Sequence, residues 1–181
     1  MYNYVIVHGS YGSPFENWFS WLYNELTNEG KNVLVPQFPI GDGIQNYENW
    51  AKVLDAYKDL VDENTIFIGH SLAPAFITDY LILNNLKSKK VVFVAPFYDL
   101  ISIPEFDAVN SPFFFVKDLS KLKDLADERI CLISTTDPYV PNKLSLDFAN
   151  IIGAEAIMYE GAGHFNKAAG FSTFENLKKY L

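Results

Sequence analysis

With a single cysteine, Cys131, the chain cannot close an internal disulfide, and its place in the apolar run Ile130-Cys131-Leu132-Ile133 reads as a buried small hydrophobe rather than a reactive thiol. No apolar run approaches the roughly 20 residues that a membrane-spanning helix requires. The first residues, Met1-Tyr2-Asn3-Tyr4, carry neither the basic stretch nor the extended apolar region of a secretory signal. A cytoplasmic protein without a membrane partner is therefore expected. Positive charge is scarce, with 14 Lys and Arg against 22 Asp and Glu for a net charge of −8, which opposes binding to nucleic-acid phosphates and anionic membrane surfaces. The short basic cluster at 87–90 reads as the solvated end of a helix. No Cys/His cluster has zinc-ligand spacing and no glycine-rich phosphate loop is present, so neither a metal nor a cofactor is expected.

What the chain does have is apolar and aromatic residues, 49% and 16% of its 181 residues, enough for one domain spanning 1–181 with a sizeable core. Six short apolar runs, at 4–7, 33–35, 65–68, 91–95, 130–134 and 155–159, alternate with segments of helical period. That alternation indicates a parallel sheet covered on both faces. Ser13-Pro14-Phe15-Glu16 has the form of a capping box with proline at the first helical position, predicting a helix that carries Trp18, Trp21, Leu22 and Leu26 on one face and ends at Gly30. Trp50, Leu54, Tyr57 and Val61 predict a second helix, Phe76, Tyr80 and Leu83 a third, and Leu144, Phe148, Ile151 and Ile152 a fourth. Ser172-Thr173-Phe174-Glu175 predicts another capping box opening a last helix with Leu177 and Leu181. The proline- and aromatic-rich segment 96–119 is the one place where a small cap over a site could be built.

The chemistry centres on Ser71. It lies in Gly69-His70-Ser71-Leu72-Ala73, directly after the apolar run 65–68 and before a helical pattern, where a strand-to-helix elbow would project a serine hydroxyl above the sheet edge. A serine nucleophile needs a base, a carboxylate to orient the base, and donors for the oxyanion. His164, in the loop Gly161-Ala162-Gly163-His164-Phe165, supplies the base. Asp137, in Thr136-Asp137-Pro138-Tyr139-Val140-Pro141, supplies the acid, with Asp99 as a competing position one strand earlier. For the oxyanion, the backbone N–H of Leu72 follows the nucleophile, and that of Ser10 belongs to the His8-Gly9-Ser10 loop after the first strand. His8 and His70 read as supports, one for the oxyanion loop and one beneath the elbow.

On these motifs, with Trp18, Trp50, Ala95-Pro96-Phe97 and Gly163-His164-Phe165-Asn166, the chain resembles the α/β-hydrolase superfamily. Within it the resemblance is to the small serine hydrolases that include retinoblastoma-binding protein 9 and the bacterial YdeN-like proteins. It covers nearly the whole length, with alanine at position 73 where the elbow more commonly has glycine. The resemblance implies a compact serine hydrolase without a large lid. The chain has no Leu-x-Cys-x-Glu sequence, so retinoblastoma-protein binding is not carried over. The expected architecture is a six-stranded parallel sheet in the order 2-1-3-4-5-6 with helices on both faces and a site where strands 1 and 3 diverge. The expected function is hydrolysis of small or short-acyl esters through a Ser71-His164-Asp137 triad, as a carboxylesterase acting on a small molecule. Two other readings stand beside it: a non-catalytic binding module on the same scaffold, and an acyltransferase using the same triad.

Overall fold

In the computed structural model, residues 3–181 are described; Met1 and Tyr2, on which part of the signal-peptide reading falls, lie outside the described residues. The apolar runs form parallel strands β1 (Asn3–Val7), β2 (Asn32–Leu34), β3 (Ile66–His70), β4 (Ser88–Val94), β5 (Ala126–Ser134) and β6 (Glu155–Tyr159). They pair in the order β2-β1-β3-β4-β5-β6. β2 is added on one side of β1 and β3 on the other, so the loops that leave β1 and β3 diverge and open a crevice at their carboxyl ends.

Because successive strand residues point to opposite faces, each central strand feeds two cores. Val5, Val7, Phe67, Val91, Phe93 and Cys131 pack on one face with α2 (Tyr47–Asp55), α3 (Ala73–Asn84) and α5 (Asn142–Ile152). Tyr4, Ile6, Ile68, Val92, Val94 and Leu132 pack on the other with α1 (Phe19–Asn28) and the C-terminal segment. Between β4 and β5 lies the one sizeable insertion, with the short helix α4 (Pro104–Asn110) and 3-10 turns at Ser111–Phe113 and Leu119–Asp124. This is an α/β-hydrolase fold with a small cap and no lid domain.

Several local expectations are corrected. The first helix starts at Phe19, not in the Ser13-Pro14-Phe15-Glu16 box, because Asn17 adopts φ +51 and breaks the helical path between them. The Ser13 hydroxyl still accepts the Phe15 N–H at 3.3 Å, so the box closes a turn without leading into a helix. The cluster at 87–90 is not a helix end: Lys89 and Lys90 lie in β4 and pair with Asp127 and Glu128 of neighbouring β5. The second helix ends at Asp55, with a separate 3-10 turn at Lys58–Leu60, and leaves Tyr57 exposed. Residues 73–81 of α3 are buried on every side, as suits a helix wedged at the centre of the molecule, while Leu83 and, on α5, Ile151 face outward. The last segment is a 3-10 helix, Glu175–Tyr180. Phe174, Leu177 and Tyr180 recur every third residue, and that spacing stacks them on one face only at three residues per turn.

Candidate active site

The elbow forms where β3 enters α3. Ser71 takes φ +62, a left-handed conformation that costs a non-glycine residue on the order of 1–3 kcal/mol and is held here by its neighbours. Its backbone N–H donates to Val94 O at 2.9 Å, which ties the turn to β4. Gly69 is required by close approach: a Cβ there would lie 2.8 Å from Ile77 Cδ1 and 3.1 Å from the Pro74 nitrogen, so any side chain would push α3 off the strand. Pro74 sits in the first turn of α3, where its missing N–H breaks no helical bond.

Three side chains from three loops meet at the elbow. The Ser71 hydroxyl donates to His164 Nε2 at 3.1 Å, and His164 Nδ1–H donates to Asp137 Oδ2 at 2.7 Å. The Asp137 side chain is only 4% exposed, and its other oxygen, Oδ1, accepts the backbone N–H groups of Tyr139 at 2.9 Å and Val140 at 3.0 Å. These three hydrogen bonds hold the carboxylate in one orientation. Asp99 is exposed and bonds the adjacent Leu100 N–H at 2.7 Å, away from the histidine. Ser10 lines the same cavity as Ser71 and His164, and Leu72 stands at the N-terminus of α3. Neither backbone N–H has an acceptor among the described residues.

Both remaining histidines are structural supports. His8 Nδ1–H donates to Gly9 O at 2.8 Å while Nε2 accepts the Phe38 N–H at 3.0 Å, so the neutral ring braces the loop that carries Ser10. Burial lowers its pKa. His70 Nε2–H donates to the backbone carbonyl of His164 at 2.8 Å, and its ring packs edge-on against Trp18 and Phe19. Burial, and secondarily the nearby His164, hold the His70 imidazole down to about 3. It therefore stays neutral and serves as a fixed donor under the base. The Trp18 indole N–H donates to Phe165 O at 3.1 Å and secures the other end of the same loop.

Several residues that complete the site carried no sequence signal. Gln45 Oε1 accepts the Tyr11 N–H at 3.0 Å, and the Ser10 hydroxyl donates to Asn110 Oδ1 on the cap helix, so the loop that carries Ser10 is held from two sides. The cap is anchored on the elbow helix: Tyr98 O–H donates to Asp79 Oδ1 at 2.7 Å and accepts the Val116 N–H at 2.9 Å. Burial pushes the Asp79 carboxyl up to about 8. These contacts join residues tens of positions apart, and only the assembled fold brings them together. The cavity above Ser71 has a volume of about 180 Å³, and Phe97, Ile101, Phe106 and Val140 form its apolar side. Among the described residues no group of histidine, cysteine and carboxylate side chains could hold a metal ion, and no helix is long and apolar enough to cross a membrane.

Known proteins resemble this chain in sequence and fold. YdeN of Bacillus subtilis (strain 168) is 28% identical over 174 residues, spanning 93% of this chain and 88% of YdeN. The crystal structure of the B. subtilis ydeN product superposes with a TM-score of 0.85 at 26% identity, covering 99% of this chain and 98% of the other. A YdeN-like hydrolase from Pectobacterium atrosepticum has a TM-score of 0.73 at 20% identity over 99% of this chain and 88% of its own. A structure from a study of carboxylesterases of the thaumarchaeon Nitrososphaera gargenis shares the fold, with a TM-score of 0.69 at 11% identity over 91% and 83% of the two chains. The family model described as serine hydrolase matches residues 4–181, and with a fold of the same type behind it the chain belongs to the serine hydrolase family.

Proposed function

We propose that the protein is a carboxylesterase that cleaves small or short-acyl esters through a Ser71-His164-Asp137 triad. The observation that carries this reading is the unbroken hydrogen-bond relay from Ser71 Oγ through the two nitrogens of His164 to Asp137. Ser71 Oγ attacks the ester carbonyl as His164 Nε2 takes its proton, and Asp137 holds the imidazolium that forms. The backbone N–H groups of Leu72 and Ser10 receive the oxyanion. Collapse of the tetrahedral intermediate expels the alcohol, which takes the proton back from His164 and leaves an acyl-Ser71 ester. Water, deprotonated by the same imidazole, then releases the acid and restores the serine. No step calls on a metal or cofactor. The single buried cysteine suits a reducing cytoplasmic setting for this activity.

The test is intact mass spectrometry after treatment with a fluorophosphonate. One adduct is expected, absent in Ser71→Ala and retained in Cys131→Ala, since burial holds the Cys131 thiol above its ordinary range and out of reach. An adduct that persists in Ser71→Ala overturns the assignment, and no adduct at all favours a binding module. The size of the cavity favours short acyl chains, so kcat/KM for aryl esters should fall from acetate and butyrate toward octanoate. A steady rise along that series would mean an apolar channel under residues 96–119. Competing alcohols or amines added to the assay separate hydrolysis from acyl transfer by their products.

A further inference from the structure

Glu16 does not cap a helix; it lines the same cavity as Ser71 and His164. The side chain is half-buried, and among the described residues no lysine, arginine or histidine makes an ion pair with it. Desolvation raises its pKa from the ordinary carboxylate value, opposed in part by the Ser13 backbone N–H. A carboxylate held partly out of water without a cation is destabilised, and a positive charge brought beside it relieves that cost.

The neighbouring backbone keeps space for this group. A Cβ on Gly12 would lie 2.5 Å from Glu16 Oε1 and 2.9 Å from Gly9 O, so any other residue would displace the carboxylate. The φ angle of Gly12 is not in the left-handed region, and glycine is needed here for room rather than for backbone conformation. Beside Glu16 the cavity is polar, lined by Asn17 and Asn166. Asn17 Oδ1 accepts the Lys167 N–H at 2.9 Å, which fixes the loop after β1 against the loop after β6. The lining also includes apolar cap residues, with Phe106 packed edge-on against Tyr139. One cavity thus holds a carboxylate without an ion-pair partner, the apolar side chains of Ile101 and Phe106, and Ser71.

We propose that Glu16 is a recognition group for positive charge, and that the preferred substrates are small esters carrying an ammonium group a few bonds from the scissile carbonyl. This deepens the esterase reading and rests on it. Two isosteric pairs test it in the wild-type protein. Acetylcholine against 3,3-dimethylbutyl acetate places the charge on the alcohol, and betaine methyl ester against methyl 3,3-dimethylbutanoate places it on the acyl group. Each kcat/KM is divided by the rate of the same ester with hydroxide, which removes intrinsic reactivity. In at least one pair the cationic member should be favoured about tenfold, as expected for opposite charges a few ångströms apart in a partly solvated site. That ratio should shrink in 0.5 M salt. Glu16→Gln should bring it close to one, whereas Glu63→Gln, an exposed carboxylate at the far end of β3, should keep it. Equal corrected rates within both pairs for the wild type, or a preference that survives Glu16→Gln, overturns the proposal while leaving the esterase reading intact. Turnover of none of the four esters overturns both.

Discussion

Replacing Asp137 by asparagine changes one atom type and little volume, and the geometry dictates how the amide must sit. Asp137 Oδ1 accepts two backbone N–H groups, from Tyr139 and Val140, while Oδ2 faces His164 Nδ1 at 2.7 Å. Turning the amide nitrogen toward the two backbone donors would forfeit two hydrogen bonds, at about 1 kcal/mol each and more if the donors are left unpaired. The asparagine oxygen therefore stays with the backbone, and its NH2 group faces His164. Nδ1 must then accept, so the imidazole proton moves to Nε2, the nitrogen 3.1 Å from Ser71 Oγ. In that tautomer Nε2 points a proton at the serine and has no lone pair to receive one. The equivalent change in a serine protease lowers kcat by about 10⁴, which corresponds to about 5 kcal/mol of transition-state stabilisation, and a loss of this order is expected here. Asp99→Asn, at an exposed position bonded to Leu100, should stay within about twofold of wild type. The assay is kcat/KM on a short-acyl aryl ester for both variants, with melting temperatures to establish that each is folded. For a chain of this length 1 kcal/mol moves Tm by about 2–4 °C, and Asp137→Asn should remain inside that window. If folded Asp137→Asn keeps more than a tenth of the wild-type kcat/KM, or if Asp99→Asn is the more damaged of the two, the orientation argument fails.

Two further outcomes concern stability. Ser71→Gly removes the cost of a side chain at φ +62, offset by the extra backbone entropy of glycine, so it should melt about 2–4 °C above Ser71→Ala by calorimetry; an equal or lower Tm would show that the elbow is not strained. His70 is held neutral with its pKa down to about 3, whereas in the unfolded chain it takes up a proton below about 6.5. Its contribution is therefore fully present above about pH 6.5 and is lost as the pH falls toward about 3. Denaturant unfolding between pH 8 and pH 4 should show a shallower acid loss in His70→Phe than in wild type, together with a loss of about 1–3 kcal/mol at pH 8 from the unpaired His164 carbonyl. Parallel pH profiles would refute the buried neutral state.

The strands, and the three side chains that meet at the elbow, were legible because both write themselves into short stretches of chain. A parallel strand buried on two faces reads as a continuous apolar run, and five of the six observed strands overlap the expected runs by three residues or more. The elbow places its small residues around the serine within five positions, and the loops of Asp137 and His164 follow their strands directly. Asn110 and Gln45 left no such trace, because they reach Ser10 and Tyr11 across 100 and 34 positions through a closure that no local spacing encodes.

One failure of a local rule lies at the site itself. Ser13-Pro14-Phe15-Glu16 satisfies every rule for a helix start, yet Asn17 turns left-handed and Glu16 enters the cavity instead. Seven described residues other than glycine take positive φ, and six of them, Tyr11, Asn17, Ser71, Ala95, Ser102 and Phe165, lie in the segments that directly follow β1, β3, β4 and β6. Tyrosine and phenylalanine have no intrinsic preference for that region, so each such position opposes local propensity and is maintained by the packing around it. Tyr11 is held by Gln45, Ser71 by the Val94 carbonyl, and the Phe165 turn by the Trp18 indole and the His70 donor beside it. Conflict between local preference and global fold is concentrated on the rim that carries Ser71, His164 and the Ser10 loop. There the chain is shaped to place functional groups rather than to satisfy each short segment, and this is why propensity and capping signals misread that rim while the sheet beneath it was plain.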